Sequence, residues 1–355
     1  MNINLRLSGS AYARGYEQAA AAWLGTKVRD ATIGRVETAR AEGLFDEASL
    51  AYLAAQRDFM ATHDRDGMAE LLGIAEGFGL PEPELFAHLH LGTLRDLKGG
   101  AALLDGCSAW AVGQGPDGPM VVKNRDYSGV HLGIQAIAQH SGPDVISGGM
   151  LCLGSLGSPG AYSSGVNAAG LALADTQVSV ATHRVGWLRY FLMTRILARC
   201  TTVAAAVDMV RTSPHAGGGT LVLADTTGAT AAIELSAGGA SVATGPKVWR
   251  TNHYTGALAS DTLPPRDDSI AANSRARFEY LGRVLPDKPW GHQDAQNLMA
   301  THANSAPGGA PICQHGAADY AETISSAVYL CNLQRMDYCE GNPCTGAWRS
   351  ISLAA

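Results

Sequence analysis

The chain has 355 residues, 46% of them hydrophobic and 16% charged, with a formal net charge of −6. That balance describes an ordinary globular protein and excludes a disordered or fibrous one. There is no Lys/Arg run of the kind that phosphate backbones require, so no nucleic-acid partner is expected.

Met1 to Gly15 carries no apolar core followed by a small-residue cleavage site. No window approaches the ~18 uncharged apolar residues of a membrane span. Seven cysteines are too few for a disulfide scaffold at this length, and their number is odd. A reduced cytoplasmic setting without a membrane is the expectation.

The segment Ala11 to Ala41 is Ala-rich and reads as one or two helices. Met68, Leu71, Leu72 and Ala75 fall on one helical face, and Gly77, Gly79 and Pro81 punctuate it. Leu85, Phe86 and Leu89 begin another helix. After residue 105 the pattern turns strand-like. Ser108–Gln114 and Met120–Asn124 flank the turn Pro116-Asp117-Gly118. Ser164–Val166 and Leu171–Val178 flank Asn167-Ala168-Ala169-Gly170. A helix is expected around Val203 to Val210, and strands at Thr220–Ala224 and Thr230–Leu235. Helices near Asn273–Leu285 and Asp294–His302 follow, then three strands within Ser325–Leu353. Hairpin blocks alternating with helix pairs predict an antiparallel α+β sandwich with its helices outside.

Helical pattern gives way to strand pattern at Asp105-Gly106-Cys107-Ser108. A cysteine opening a strand, with glycine before it, suits attack of the thiol on the Gly106 carbonyl; Gly tolerates the strained backbone that attack requires. Hydrolysis of the resulting thioester would free the α-amine of Cys107. That amine, with a pKa of about 8, is a base beside its own thiol. The alternative is an inert buried cysteine, the commoner fate of that residue.

Around Cys107, with Lys123-Asn124-Arg125-Asp126-Tyr127 downstream, the sequence resembles the isopenicillin N acyltransferase family. These are N-terminal-nucleophile enzymes, distantly similar to penicillin V acylases and bile-salt hydrolases. Ala69–Gly77 resembles the family's pro-segment signature and Gly165–Leu171 its central hairpin. Thr251-Asn252-His253-Tyr254, Asn273-Ser274-Arg275, Pro311-Ile312-Cys313, Thr323–Ser326 and Gly341-Asn342-Pro343-Cys344 resemble its later blocks. The resemblance implies a four-layer αββα sandwich cut before Cys107. Residues 1–106 would be a helical pro-chain that stays bound, and 107–355 the catalytic chain.

By that resemblance Cys107 is the nucleophile, Asp126 orients its amine and thiol, and Asn252 is the oxyanion-hole residue. Strand alternation puts Lys123 and Arg125 on one face and Asn124 with Asp126 on the other. Asn124 is therefore expected to support Asp126, while Lys123 and Arg125 are candidate substrate-binding or supporting cations. The family usually carries Arg after the Cys or Ser of the block that reads Ile312-Cys313-Gln314 here. Gln314 offers only neutral hydrogen bonds in its place. Ala109 also stands where the penicillin enzyme has Thr. Both departures point away from penicillin as substrate.

Cys331, Cys339, Cys344 and His315 offer zinc-type ligands, but the set lacks a C-x-x-C pair, and neither metal nor cofactor is expected. His253 or His302 could in principle pair with the thiol, yet His253 follows Asn252 and faces away on a strand. No G-x-S-x-G elbow is present, and the Gly-rich segment Gly154–Gly160 lacks the Lys-Ser/Thr of a P-loop. The expected activity is hydrolysis of a small N-acyl or peptide-like amide through a Cys107 thioester. Acyl transfer to an amine, with a coenzyme A thioester as a possible donor, is the alternative. A non-catalytic binding relative is the alternative of another class.

Overall fold

Turn chemistry and alternating strands build hairpin after hairpin from residue 108 onward, and these assemble into two sheets. The computed structural model describes residues 3–100, 106–264, 268–305, 308–316 and 321–353. Asp105 lies outside the described residues.

The larger sheet has eight strands. Their spatial order is β1 (Ile3–Ser8), β4 (Gln135–Ser141), β5 (Met150–Ser155), β6 (Ser164–Asn167), β7 (Ala172–Thr176), β8 (Thr220–Ala224), β9 (Thr230–Ser236) and β10 (Gly239–Thr244). Only β1 and β4 pair in parallel, with Ile3 opposite Ala136; the other pairs are antiparallel. The second sheet runs β11 (Lys247–Arg250), β2 (Ser108–Val112), β3 (Met120–Tyr127), β12 (Glu322–Leu330), β13 (Arg335–Glu340) and β14 (Trp348–Ser352), all antiparallel.

Three cores separate four layers. Side chains of Val121, Leu151, Val166, Val222 and Tyr329 fill the space between the sheets. Outside the larger sheet pack α1 (Ala11–Glu17), α2 (Gly25–Arg29), α3 (Arg35–Ala41), α4 (Glu47–His63), α5 (Arg65–Phe78), α6 (Glu82–Leu89) and α7 (Leu91–Leu97). They are joined there by α8 (Arg189–Arg199) and α9 (Val203–Thr212). Outside the smaller sheet lie α10 (Asp268–Val284) and α11 (His292–Met299). Trp110, fully buried, anchors that layer, edge-on to Trp290 at 5.4 Å. This is the αββα sandwich that the resemblance implied.

The segment before residue 106 is mostly helical, but it also supplies β1 to the larger sheet. Between α1 and α3 the Ala-rich stretch is broken into short 3-10, α and π turns rather than one or two regular helices. α5 ends at Gly79, whose left-handed φ of 64° closes the helix as the sequence predicts. Its buried face differs from the expected one: Leu72 is exposed, whereas Gly67, Glu70, Leu71, Gly73, Ile74 and Ala75 are buried. Glycines explain this. A Cβ on Gly73 would stand 2.1 Å from the Tyr12 carbonyl oxygen, and one on Gly15 would stand 2.0 Å from that of Glu70. α1 and α5 therefore touch backbone to backbone, and the apolar stripe shifts to make room. Among the described residues no helix is long and apolar enough to cross a membrane.

Candidate active site

Strand β2 lies between β3 and β11, and its N-terminal end gathers the candidate residues. In the β2–β3 ladder Ser108 faces Asn124 and Ala109 faces Lys123. Continuing that register sets Gly106 beside Asp126, and the Gly106 N–H donates to the Asp126 carbonyl at 3.4 Å. The hairpin thus accounts for the separation between Cys107 and Asp126. On the other flank, Arg250 pairs with Ala109, and Asn252 lies two residues further on.

Cys107 is 4% exposed and its thiol donates to the Asp126 carbonyl at 3.6 Å. The Asp126 side chain is fully buried. Gln314 joins it to the expected cut site. Its Nε2 donates one hydrogen bond to the Gly106 carbonyl and one to Asp126 Oδ2, both at 2.9 Å. Its backbone is held in turn: Gln314 N–H donates to Thr323 Oγ1 at 2.8 Å, and Asn342 Nδ2 donates to its carbonyl at 2.7 Å.

Gly106 has no left-handed φ. The constraint on it is space, because a Cβ there would stand 2.0 Å from Gln314 Nε2. The expectation that Gly is needed for a strained backbone is thereby replaced by one of close approach.

Arg277, on α10, is a residue the sequence reading missed. It is 1% exposed and spreads its guanidinium over four acceptors. Nη1 reaches the Cys107 carbonyl at 2.7 Å and Ser108 Oγ at 2.9 Å; Nη2 reaches Asn252 Oδ1 at 2.8 Å; Nε reaches Asn273 Oδ1 at 2.7 Å. Asn273 Nδ2 then donates to Gln314 Oε1 at 3.2 Å. Cys107, Asp126, Asn252 and Gln314 are consequently linked through one hydrogen-bonded frame. With its Oδ1 held by Arg277, Asn252 turns Nδ2 toward the Gln177 carbonyl at 2.9 Å.

Asn124 stands elsewhere. It points to the helix layer and donates to the carbonyls of Met299 and Ile312 at 2.9 and 2.8 Å. Its link to Asp126 is indirect, through the segment that carries Gln314. Lys123 and Arg125 do share a face, and both are buried. Lys123 pairs with Asp175 and donates to the Ser163 carbonyl. Arg125 donates to Gln135, the Gly154 carbonyl and Ser155, and lies 5.5 Å from the Tyr162 ring centroid. Arg189 binds the other Asp175 oxygen at 2.7 Å. Burial alone would raise the Asp175 pKa, but Lys123 and Arg189 hold it below the usual carboxylate value. Cys107, Lys123, Arg125, Asp126, Asp175 and Arg189 line a common cleft, with Tyr162 and Tyr190 also on its wall.

His253 bonds Ser274 Oγ at 2.8 Å, and burial pushes its pKa down to about 4. It is held as part of the frame beneath Asn252. The zinc-type set of Cys331, Cys339, Cys344 and His315 does not assemble. Cys331 packs between the sheets, while His315 and Cys344 meet Cys313 and His302 instead.

The sequence profile of a family described as acyl-coenzyme A:6-aminopenicillanic acid acyl-transferase matches residues 114–345. The chain belongs to this family. The match takes in Asp126, Asn252, Arg277 and Gln314 and begins seven residues after Cys107. No curated protein matches the chain. Among solved structures, a variant of the conjugated bile acid hydrolase of Clostridium perfringens is similar with a TM-score of 0.43 at 11% identity, over 69% of this chain and 96% of its own. Penicillin V acylase of Agrobacterium tumefaciens is similar with a TM-score of 0.40 at 15% identity, over 70% of this chain and 86% of its own.

Proposed function

We propose that this member of the family is a self-processing cysteine amidohydrolase that cleaves a small N-acyl or peptide-like amide. The supporting observation is the arrangement at Gly106-Cys107. The thiol belongs to the residue after a carbonyl that already accepts a hydrogen bond from Gln314 Nε2.

In the processing step Cys107 Sγ attacks the Gly106 carbonyl carbon, and the oxygen gains negative charge against Gln314. The C–N bond breaks, nitrogen takes a proton, and a thioester joins Gly106 to Sγ. Water hydrolyses it, leaving the Gly106 carboxylate, a free thiol and a free α-amine on Cys107. Residues 1–106 then form the bound pro-chain and 107–355 the catalytic chain. In turnover the amine takes the thiol proton as sulfur attacks a substrate amide. Asp126 fixes the amine, Asn252 serves the oxyanion, and the leaving amine departs protonated. Water resolves the acyl-thioester to the free acid. Lys123 and Arg125, with Arg189, give the cleft its cationic wall. No cofactor enters this scheme.

Acyl transfer to an amine is the second reading, favoured by the family's own description. It would use the same thioester, with an amine in place of water.

Intact mass under denaturing conditions tests the processing. The expected result is two chains summing to the whole plus one water, the larger beginning at Cys107, and a single chain for Cys107→Ala. A wild type that stays whole while turning over substrate overturns the scheme. A time course on N-acyl amino compounds, with and without an amine acceptor, separates the two readings. Release of free acid ahead of transfer product supports the hydrolase.

A further inference from the structure

Three loops on the helix side of the smaller sheet bring together two cysteines and two histidines that take no part in the proposed catalysis. They are His302, after α11; Cys313 and His315, on the segment carrying Gln314; and Cys344, in the turn after β13. One potential ligand atom from each lies within 4.8 Å of every other. Cys313 Sγ and Cys344 Sγ are 3.6 Å apart, and His315 Nε2 lies 3.7 Å from the first and 3.2 Å from the second.

These three spacings lie near the edges of a metal-centred tetrahedron, and the fourth ligand is within reach of closing it. With Zn–S near 2.3 Å and Zn–N near 2.0–2.1 Å, tetrahedral angles put two sulfurs about 3.8 Å apart and sulfur and nitrogen about 3.6 Å apart. A disulfide would need its sulfurs at about 2.05 Å, far closer than they stand. The surroundings also suit a metal. His302 Nδ1 lies 3.2 Å from the Cys313 carbonyl, a contact that fixes the ring with Nε2 as its ligating nitrogen. Asn342 Nδ2 approaches Cys313 Sγ at 3.7 Å, placed to donate to a thiolate. The imidazoles of His302 and His315 lie side by side, centroids 5.1 Å apart.

We propose that His302, Cys313, His315 and Cys344 bind one zinc-class divalent ion in a closed S2N2 tetrahedron. Thiolate and imidazole ligands in this geometry select zinc over the hard oxygen-seeking cations. Four protein ligands leave no open position, so the ion is structural. Its effect falls on Gln314, which sits between two of the ligands. The same Asn342 amide that faces Cys313 also donates to the Gln314 carbonyl at 2.7 Å. The metal thereby pins the segment from which Gln314 reaches Gly106 and Asp126.

The test is elemental analysis of the full chain purified without chelator under thiol-reducing conditions, followed by exchange into cobalt(II). The expected result is about one zinc per chain, and, after exchange, the visible bands and thiolate charge-transfer absorption of tetrahedral cobalt. Cys344→Ser and His315→Ala should each lose most of the metal and the cobalt spectrum while circular dichroism shows the fold retained. Chelation of the wild type should lower its melting temperature without affecting that of Cys344→Ser. A wild type that holds neither zinc nor cobalt stoichiometrically overturns the proposal. So does a Cys313–Cys344 disulfide in freshly prepared protein, or unchanged metal content in Cys344→Ser. None of these readouts depends on processing or turnover, so they stand apart from the fate of the amidohydrolase reading.

Discussion

A primary amide has two hydrogens on one nitrogen, and Gln314 uses both: one on the carbonyl expected to be cut, one on the buried carboxylate beside it. The donor to Gly106 helps the processing step only as charge grows on that oxygen, so Gln314→Ala should slow self-cleavage by about a hundredfold. A time course of chain cleavage by mass would show it, and wild-type speed would remove Gln314 from the step. Gly106→Ala should slow cleavage to a similar degree, since its methyl group would push the same nitrogen aside; cleavage at wild-type speed in that variant would contradict the role of the close approach. Arg277 makes a separable prediction. Arg277→Lys keeps one charge but cannot span four acceptors. Buried carbonyl and amide oxygens left without a donor cost roughly 1–3 kcal/mol each. Arg277→Lys should therefore melt at lower temperature and lose kcat more than KM, because Asn252 loses the partner that orients it. Equal kinetics in the variant would reduce Arg277 to a purely structural role.

Elements differed in how much of themselves they announced. Hairpins with turn residues at their tips, β2–β3 and β6–β7, were legible because Gly118 and Gly170 take left-handed φ values that mark a turn. Strands β4 and β5 were not, since β5 is buried on both faces and its run Met-Leu-Cys-Leu-Gly-Ser shows no alternation. β1 does alternate, Ile3, Leu5 and Leu7 turned inward and Asn4, Arg6 and Ser8 exposed, but six residues beside an Ala-rich helical stretch give no turn or hairpin to mark a strand, and the strand it pairs with lies more than a hundred residues away. The same limit applied at the site. Cys107, Asp126 and Asn252 come from motif resemblance; strand register then places Cys107 beside Asp126, and Arg277 ties Asn252 to the Cys107 carbonyl. Arg277 sits on a helix with Arg275, Glu279 and Arg283, where a charge reads as solvated surface; only tertiary contact reveals it as buried. The metal-type cluster was half legible: the sequence offers His315 and Cys344 as zinc-type ligands, but three separate loops supply the set, and only tertiary contact exchanges Cys331 and Cys339 for Cys313 and His302. At this scale the crossing of α1 and α5 is the sharpest prediction. Gly73→Ala should destabilise the fold by several kcal/mol, as its methyl group meets backbone that cannot rotate aside. Denaturant unfolding would measure this, and a loss below about 0.5 kcal/mol, the range of ordinary surface substitutions, would contradict it.

Across the molecule, the segment before Cys107 is bound to the rest by more than apolar packing. Arg14 forms a two-pronged pair with Asp144 at 2.7 and 2.6 Å, Gln18 exchanges hydrogen bonds with Gly157 and Ser158, and Asp96 holds His183 and the Val180 N–H. If the chain is cut as proposed, the two pieces should co-elute on size exclusion in native buffer. Glu70 lies at this same seam. Burial raises its pKa from 4.5 to about 7, against the opposing pull of Arg14 and the Gly160 N–H, with Asp144 and Asp64 adding to the rise. A raised acid keeps its proton in the folded state while the unfolded state has lost it, so stability falls as pH rises from 4.5 through 7. His140, 3.8 Å away and pushed down to about 3 by burial, acts in the opposite sense below its ordinary 6.5. Comparison with Glu70→Gln isolates the carboxyl. The variant should gain on the wild type by up to about 3 kcal/mol on going from pH 5 to pH 8. Parallel stability curves across that range would show that Glu70 titrates normally.

The strand β1 crosses the proposed cut by lying beside β4, an edge it shields along six paired residues. While the chain is continuous, β1 is tethered to that edge and its docking is a first-order event. Once the link at Gly106 is gone, denatured pieces must find each other by diffusion, and renaturation becomes second order in protein, slowing with dilution. The uncut β4 edge would meanwhile stand open to other chains. Folding would then be recoverable before the cut and concentration-limited after it, so that the order of events in biosynthesis, fold first and sever second, is written into the position of a single edge strand.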